Sequence, residues 1–448
     1  MRRLLPVLAA LALSAAGPAT APASPARQEQ PPKTPVGKQV SWLLDASKRL
    51  PVPEAEVREH VSAALLEKLG GVDGFNAELG KAAGPDGLRL DSFRSQRTPR
   101  DSSEAYALLD GEDGRHHAVV VTGEQDDLAA LHLTALPGSW SELDERLRKV
   151  APDVSFLAAE VNKQGRCRTL HGLAPKTPRP IGSAFKLYVL GALAKAVREG
   201  RASWDQRLPV REEWKSVGGG PVSELAAGTK LTLRQYADHM IFYSDNSATD
   251  HLMHRIGRKA VEAQQTAFGM ADPRANRPLL LTRELAQLKS ADYPRHADAY
   301  TAMGEQDRRR YLTDEVSKLP VPGSTWEQPR HINSVEWFAR PDDICRAFSG
   351  LRDQAGSGGQ KPVDTSLSLM GTRTLGLDTD AWPTGWFKGG SEPGVISRNF
   401  MVESASGNTY VVSMSVSDPK ENVSNSDKAA ELLALSAGAF ELADKAAG

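Results

Sequence analysis

Strand-forming segments stand at both ends of a long helix-forming stretch, and this arrangement limits the folds open to the chain. Segments 156–161 and 166–170 flank the turn Asn162-Lys163-Gln164-Gly165, a hairpin signal. Segments 399–403 and 410–417 flank Ser404-Ala405-Ser406-Gly407-Asn408 near the other end. Between them, 183–351 reads as mainly helical with loops, and a last helix is expected over 427–446. Strands split in this way are expected to meet in one antiparallel sheet packed against the helices, an α+β domain over 151–448.

With 448 residues the chain is longer than one core usually organises, so a second domain is expected. It begins with Arg2 and Arg3, an apolar run from Leu4 to Ala16, and the small-residue sites Ala19-Thr20-Ala21 and Ala21-Pro22-Ala23. Residues 1–23 are therefore read as a signal peptide. A Pro- and Gln-rich stretch without apolar period follows, and a linker is placed at 24–42. Within 43–150, a helix is expected over 54–69, ended by Gly70-Gly71. Residues 84–101 read as a polar loop. Strands are expected at 105–109, 116–122 and 128–133, and a closing helix at 140–150 behind Ser139. This is a small α+β module.

Composition narrows the function. Apolar residues are 40%, charged residues 25%, and the formal net charge is −1, so neither nucleic acid nor an anionic membrane is expected as partner. No later segment is long and apolar enough to span a bilayer, and a periplasmic or extracellular location is expected. Cys167 and Cys345 are read as two buried free thiols, although an exported chain allows them to pair.

Three short motifs carry chemistry. In Ile181-Gly182-Ser183-Ala184-Phe185-Lys186, Gly182 breaks the chain and a helix follows, so Ser183 and Lys186 project from one face a turn apart. A desolvated lysine can be neutral enough to take the serine proton. Ser244-Asp245-Asn246 falls in the loop after a helix opened by a Thr232/Gln235 capping box. Trp386-Phe387-Lys388-Gly389-Gly390-Ser391 starts a late strand whose glycines let a ligand approach the backbone. His251 and His254 lack a third ligand and are read as packing residues, so no metal and no cofactor is expected.

S-x-x-K, S-D-N and K-[T/G]-G in this order resemble the class A β-lactamases and penicillin-binding serine hydrolases. The interval of 61 residues from Ser183 to Ser244 is similar to that family's. The resemblance implies a small-molecule acyl substrate, Ser183 as nucleophile and Lys186 as its proton acceptor. It makes Ser244 a proton relay, Asn246 an orienting group and Lys388 a positive charge beside Ser244. The backbone N–H groups of Ser183 and Ser391 would form the oxyanion hole. Gly389, Gly390 and Arg398 would contact substrate, with Arg398 binding the substrate's carboxylate. The chain also resembles a two-domain group that includes the β-lactamase-like protein of clavulanic acid biosynthesis, with a small steroid-isomerase-like domain in front. Trp386–Gly394 and Phe338-Ala339-Arg340-Pro341-Asp342-Asp343 carry that likeness.

The family's E-x-x-L-N pattern, which supplies the deacylating base, is not found. Glu284 is the fallback candidate, and Thr282 reads as the cap that places it in a helix's first turn. The 142 residues from Asn246 to Lys388 suggest an insertion near 290–335 that forms a lid or wall. Three activities remain open: hydrolysis of β-lactams or esters, capture of β-lactams with little turnover, and cleavage of D-alanyl-D-alanine peptides.

Overall fold

The computed structural model describes residues 30–97, 103–123 and 125–447. The signal-peptide reading and residues 24–29 of the linker lie outside these. Among the described residues no helix is long and apolar enough to cross a membrane.

Helix α1 spans Pro35–Ala46 and overturns the linker expectation over 35–42. Thr34 Oγ1 accepts from Gly37 N and Pro35 stands at the first turn, both helix-start signals. Val36, Val40 and Leu43 then fall on one buried face. The helix expected over 54–69 is two: α2, Glu54–His60, and α3, Ala63–Leu69. Val61 bridges to Leu128, and Ser62 caps α3. Helix α4, Gly71–Ala83, follows at once.

Four antiparallel strands lie in sequence order: β1, Arg89–Arg97; β2, Ser103–Gly111; β3, Gly114–Thr122; β4, Leu128–Ala135. β1 replaces half of the loop expected over 84–101. A register shift between Leu90 and Ser92 breaks its alternation, which hides the period-2 signal. β2 is apolar on both faces. Ala105, Ala107 and Leu109 join the core under α1–α4, while Tyr106 and Leu108 face the other way.

Helix α5, Trp140–Val150, leads into β5, Asp153–Val161, and β6, Cys167–Leu173. The sequence grouped α5 with the small module; its Asp144 accepts from His171 on β6, and Trp140 stacks on the same ring at 4.8 Å. Strands β7, Thr384–Phe387; β8, Gly390–Glu392; β9, Val395–Glu403; and β10, Thr409–Ser417, complete the expected antiparallel sheet. Its order is β7-β9-β10-β5-β6, with β8 also on β9.

Helices pack on this sheet. They include α6, Lys186–Arg198; α7, Leu233–Phe242; α8, Asn246–Ile256; α9, Thr282–Ser290; and α10, Pro341–Ala355. The terminal helix α11, Ser426–Ala447, lies between the two sheets. Its Leu432, Leu435 and Phe440 share one core with Tyr106 and Leu108 of β2, Leu143 and Leu147 of α5, and Phe400 of β9.

The free-thiol reading of the cysteines is corrected. Cys167, at the start of β6, and Cys345, on α10, form a disulfide with Cα atoms 6.4 Å apart. α10 packs across β5 and β6, which brings two residues far apart in sequence within bridging range.

Candidate active site

Gly182 has φ +49°, a left-handed turn that glycine adopts at little steric cost. It sends the chain into a 3₁₀ turn, Gly182–Phe185, that continues as α6. Ser183 thus sits at a helix N-terminus, half-buried, where backbone N–H groups favour developing negative charge.

Lys186, one turn on, is fully buried. Its Nζ lies 2.9 Å from Ser183 Oγ, 3.2 Å from Ser244 Oγ, 2.7 Å from Asn246 Oδ1 and 2.5 Å from the Ser244 carbonyl oxygen. Desolvation pushes its pKa down to about 7, against the opposing charges of Asp245 and Asp250. An amine of that pKa is free base for much of the time at neutral pH and can accept the proton of the hydroxyl beside it.

Ser244 joins α7 to α8 and has φ +56°, a strained conformation for a residue with a side chain. Several contacts hold it there. Asp245 caps α8 by accepting from Ala248 N at 2.8 Å, and its other oxygen accepts from Val222 N at 2.9 Å. Asn246 donates to the Val217 carbonyl at 2.8 Å, which aims its own oxygen at Lys186. Lys388 Nζ reaches Ser244 Oγ from the other side at 3.0 Å. Lys388 is buried too, and desolvation, then the charges of Lys186 and Arg398, hold its pKa well below the ordinary lysine value. Ser183, Lys186, Ser244 and Lys388 form one chain of polar contacts.

The late strand lies directly on the turn that carries Ser183. A β-carbon on Gly390 would stand 2.1 Å from the Ile181 carbonyl oxygen and 2.5 Å from Ser183 N, so only glycine fits. One on Gly182 would stand 3.1 Å from Ser391 N. The backbone amides of Ser183 and Ser391 thus belong to two segments in direct contact, the Gly182 turn and β8.

Arg398, on β9, reaches the same place, and a β-carbon on Gly389 would come 3.2 Å from its Nη1. Its hydrogen bond is a long one, 3.4 Å, to the Ser397 carbonyl, and no ion pair to it occurs among the described residues. Tyr106, from the small sheet, is near enough to interact with it electrostatically, and its hydroxyl donates to Glu104.

Two cavities meet at Ser183. One, of about 330 Å³, is lined by Lys388, Gly389 and Arg398. The other, of about 440 Å³, is lined by Thr325, Trp326 and Glu327 of the expected insertion, with Glu336, Trp337 and Glu392. The insertion is thus a wall of the site.

Glu284 is turned away. The Arg258 guanidinium donates to both its oxygens, at 2.6 and 2.9 Å, and Leu281 N donates to it at 2.8 Å. Its helix neighbours Thr282, Leu285 and Ala286 face the cavity instead. Leu281 takes the cap position expected of Thr282, because Asp250 accepts from the amides of Thr282 and Arg283. His251 and His254 pack as rings, on Tyr236 and Trp214. Among the described residues no cluster of His, Cys, Asp or Glu is arranged to hold a metal ion.

Sequence reasoning missed Glu336 and Lys289. Lys289 Nζ, fully buried on α9, lies 2.5 Å from Glu392 Oε1 and 4.0 Å from Glu336 Oε2. Trp337 N donates to Glu336 at 2.8 Å, Trp337 stacks on Phe185 at 3.9 Å, and its carbonyl accepts from Ile181 N. Burial, then the charge of Glu392, push the Glu336 carboxyl well above the ordinary carboxylate range.

No curated protein matches the chain. Among solved structures it is similar to a β-lactamase from Sphaerobacter thermophilus DSM 20745, at 18% identity over 69% of this chain and 96% of that one, with a TM-score of 0.45. It is similar to PBP-A at 18% identity over 68% and 99%, with a TM-score of 0.45. A β-lactamase from Chitinophaga pinensis DSM 2588 is 16% identical over 69% and 98%, with a TM-score of 0.46. Residues 140–314, which hold Ser183, Lys186, Ser244 and Asn246 but stop short of Lys388, match the model of the beta-lactamase enzyme family.

Proposed function

We propose that the chain is a serine hydrolase of the β-lactamase and penicillin-binding type that forms an acyl-enzyme at Ser183 and acts on β-lactams, esters or both. One observation carries this reading: a fully buried Lys186, with its pKa pushed down to about 7, stands 2.9 Å from Ser183 Oγ. In the proposed step, Lys186 takes the hydroxyl proton as Ser183 Oγ attacks the substrate carbonyl. The carbonyl oxygen, now negative, is held by the amides of Ser183 and Ser391. Ser244, between the two lysines, passes a proton to the leaving group, and Asn246 keeps Lys186 aligned. Lys388 and Arg398 hold the substrate's anionic group. The disulfide supports export, because disulfides persist in oxidising compartments. The two-part architecture supports the likeness to the clavulanic-acid group.

A second reading, capture with slow release, is favoured by the clamped position of Glu284. One experiment tests both. A chromogenic cephalosporin is added while absorbance and protein mass are followed. A transient adduct with turnover supports the hydrolase, and a lasting adduct supports capture. An equal adduct on the Ser183→Ala protein overturns both readings.

A further inference from the structure

The two cavities beside Ser183 differ in charge. The smaller carries Lys388 and Arg398 and no acidic side chain. The larger carries Glu327, Glu336 and Glu392 and no Lys, Arg or His. Both touch Ser183 and Ser391, so a substrate whose carbonyl sits over the serine extends into both.

The acidic wall is short of one cation. Behind it, Lys289 pairs with Glu392 at 2.5 Å and stands farther from Glu336, at 4.0 Å. The Glu392 side chain is nine-tenths buried, and it shares a side-chain hydrogen bond with Glu336. The charged groups against Glu336 are Lys289 from α9 and Glu392 from β8, and Arg330 donates to the Lys289 carbonyl from the insertion. Two carboxyl groups with one lysine balance only while one keeps a proton, and Glu336, with its raised pKa, is the one that does. Trp326 and Trp337 complete the wall, and aromatic faces attract cations.

We propose that the larger cavity is a subsite for a cationic acyl substituent. On the acyl-enzyme reading above, the substrate class is then zwitterionic, with an ammonium or guanidinium group on one side of the scissile carbonyl and a carboxylate on the other. The bound cation takes the place of the Glu336 proton, which leaves to solvent. Two buried carboxylates, Glu336 and Glu392, then face two cations, and the exposed Glu327 adds one further negative charge at the rim.

The test compares phenylacetyl penicillin with its α-aminophenylacetyl counterpart, which differ by one ammonium group. Acylation of Ser183 is timed by mass spectrometry, and binding to the Ser183→Ala protein is measured by calorimetry. The expected result is a preference of about tenfold or more for the aminated compound in both, the scale of one charge-assisted contact. Glu392→Gln and Glu336→Gln are each expected to bring the ratio below about threefold, whatever their absolute rates. A ratio near one in the parent protein overturns the subsite without any variant, and so does a ratio that both variants keep. If neither penicillin acylates Ser183, the acyl-enzyme reading fails, and the calorimetric ratio still decides the subsite.

Discussion

Gly389 and Arg398 share one small volume: a β-carbon on the glycine would come 3.2 Å from the arginine Nη1 and 2.8 Å from Phe387 Cζ. The missing side chain at 389 is the space that lets the guanidinium reach the cavity beside Ser183.

Arg398→Ala is therefore expected to raise KM for carboxylate-bearing substrates by about 10- to 100-fold, the range of a charge-assisted hydrogen bond. Neutral esters should be nearly unaffected. Gly389→Thr should act in the same direction, because the added side chain displaces the guanidinium. Steady-state kinetics on matched acid and neutral substrates decide this, and equal losses on both would refute the role of Arg398.

Lys186 sets a pH dependence. In the proposed mechanism the free amine is the base, so acylation should be lost as pH falls through about 7. A rise of roughly fivefold from pH 6 to 7 and a plateau above about 8 are expected for a single such group. The unfolded lysine binds a proton that the folded one does not between about 7 and 10.5, so this group's contribution to stability improves as pH rises across that window. Lys186→Met should consequently raise the melting temperature while abolishing acylation. A flat acylation profile over pH 6–8 would count against Lys186 as the base.

Glu284→Gln should not lengthen the life of an acyl adduct, since Arg258 already occupies the carboxylate. It should instead destabilise the fold by roughly 3 kcal/mol, because it leaves Arg258 without its buried partner. Adduct lifetime by mass spectrometry and thermal unfolding separate the two effects.

The Cys167–Cys345 bridge closes a sequence separation of 178 residues. Replacing both cysteines by serine should lower stability by about 4–5 kcal/mol on the chain-entropy account. Denaturant titration of the double variant against the oxidised parent measures this, and an unchanged midpoint would mean that the bridge adds no stability.

The parts of the site visible in sequence are those whose chemistry is local. Ser183 and Lys186 lie one helical turn apart, and Gly390 is fixed by what its own backbone touches, so short motifs record them. Lys289, Glu336 and Glu392 meet only because α9, the segment just after the insertion and β8 pack together, and no spacing marks that. The same holds for the disulfide, which depends on α10 crossing β6. The sheet and its closing helix were legible from apolar alternation. β1 was not, because its register shift breaks the alternation, and α1 was not, because its first turn follows directly on a Pro- and Gln-rich stretch.

Strand β2 has no face to spare: one side belongs to the core under α1–α4, and the other to the core of Phe400 and Phe440. A cut anywhere between the two sheets would strip one half of a wall it needs. The fused molecule should melt as a single cooperative unit, and fragment 151–448 made alone should present to solvent the face of α11 that β3 and β4 cover, as an adhesive patch. What looks like an appended module is, energetically, one wall of the larger half's own core.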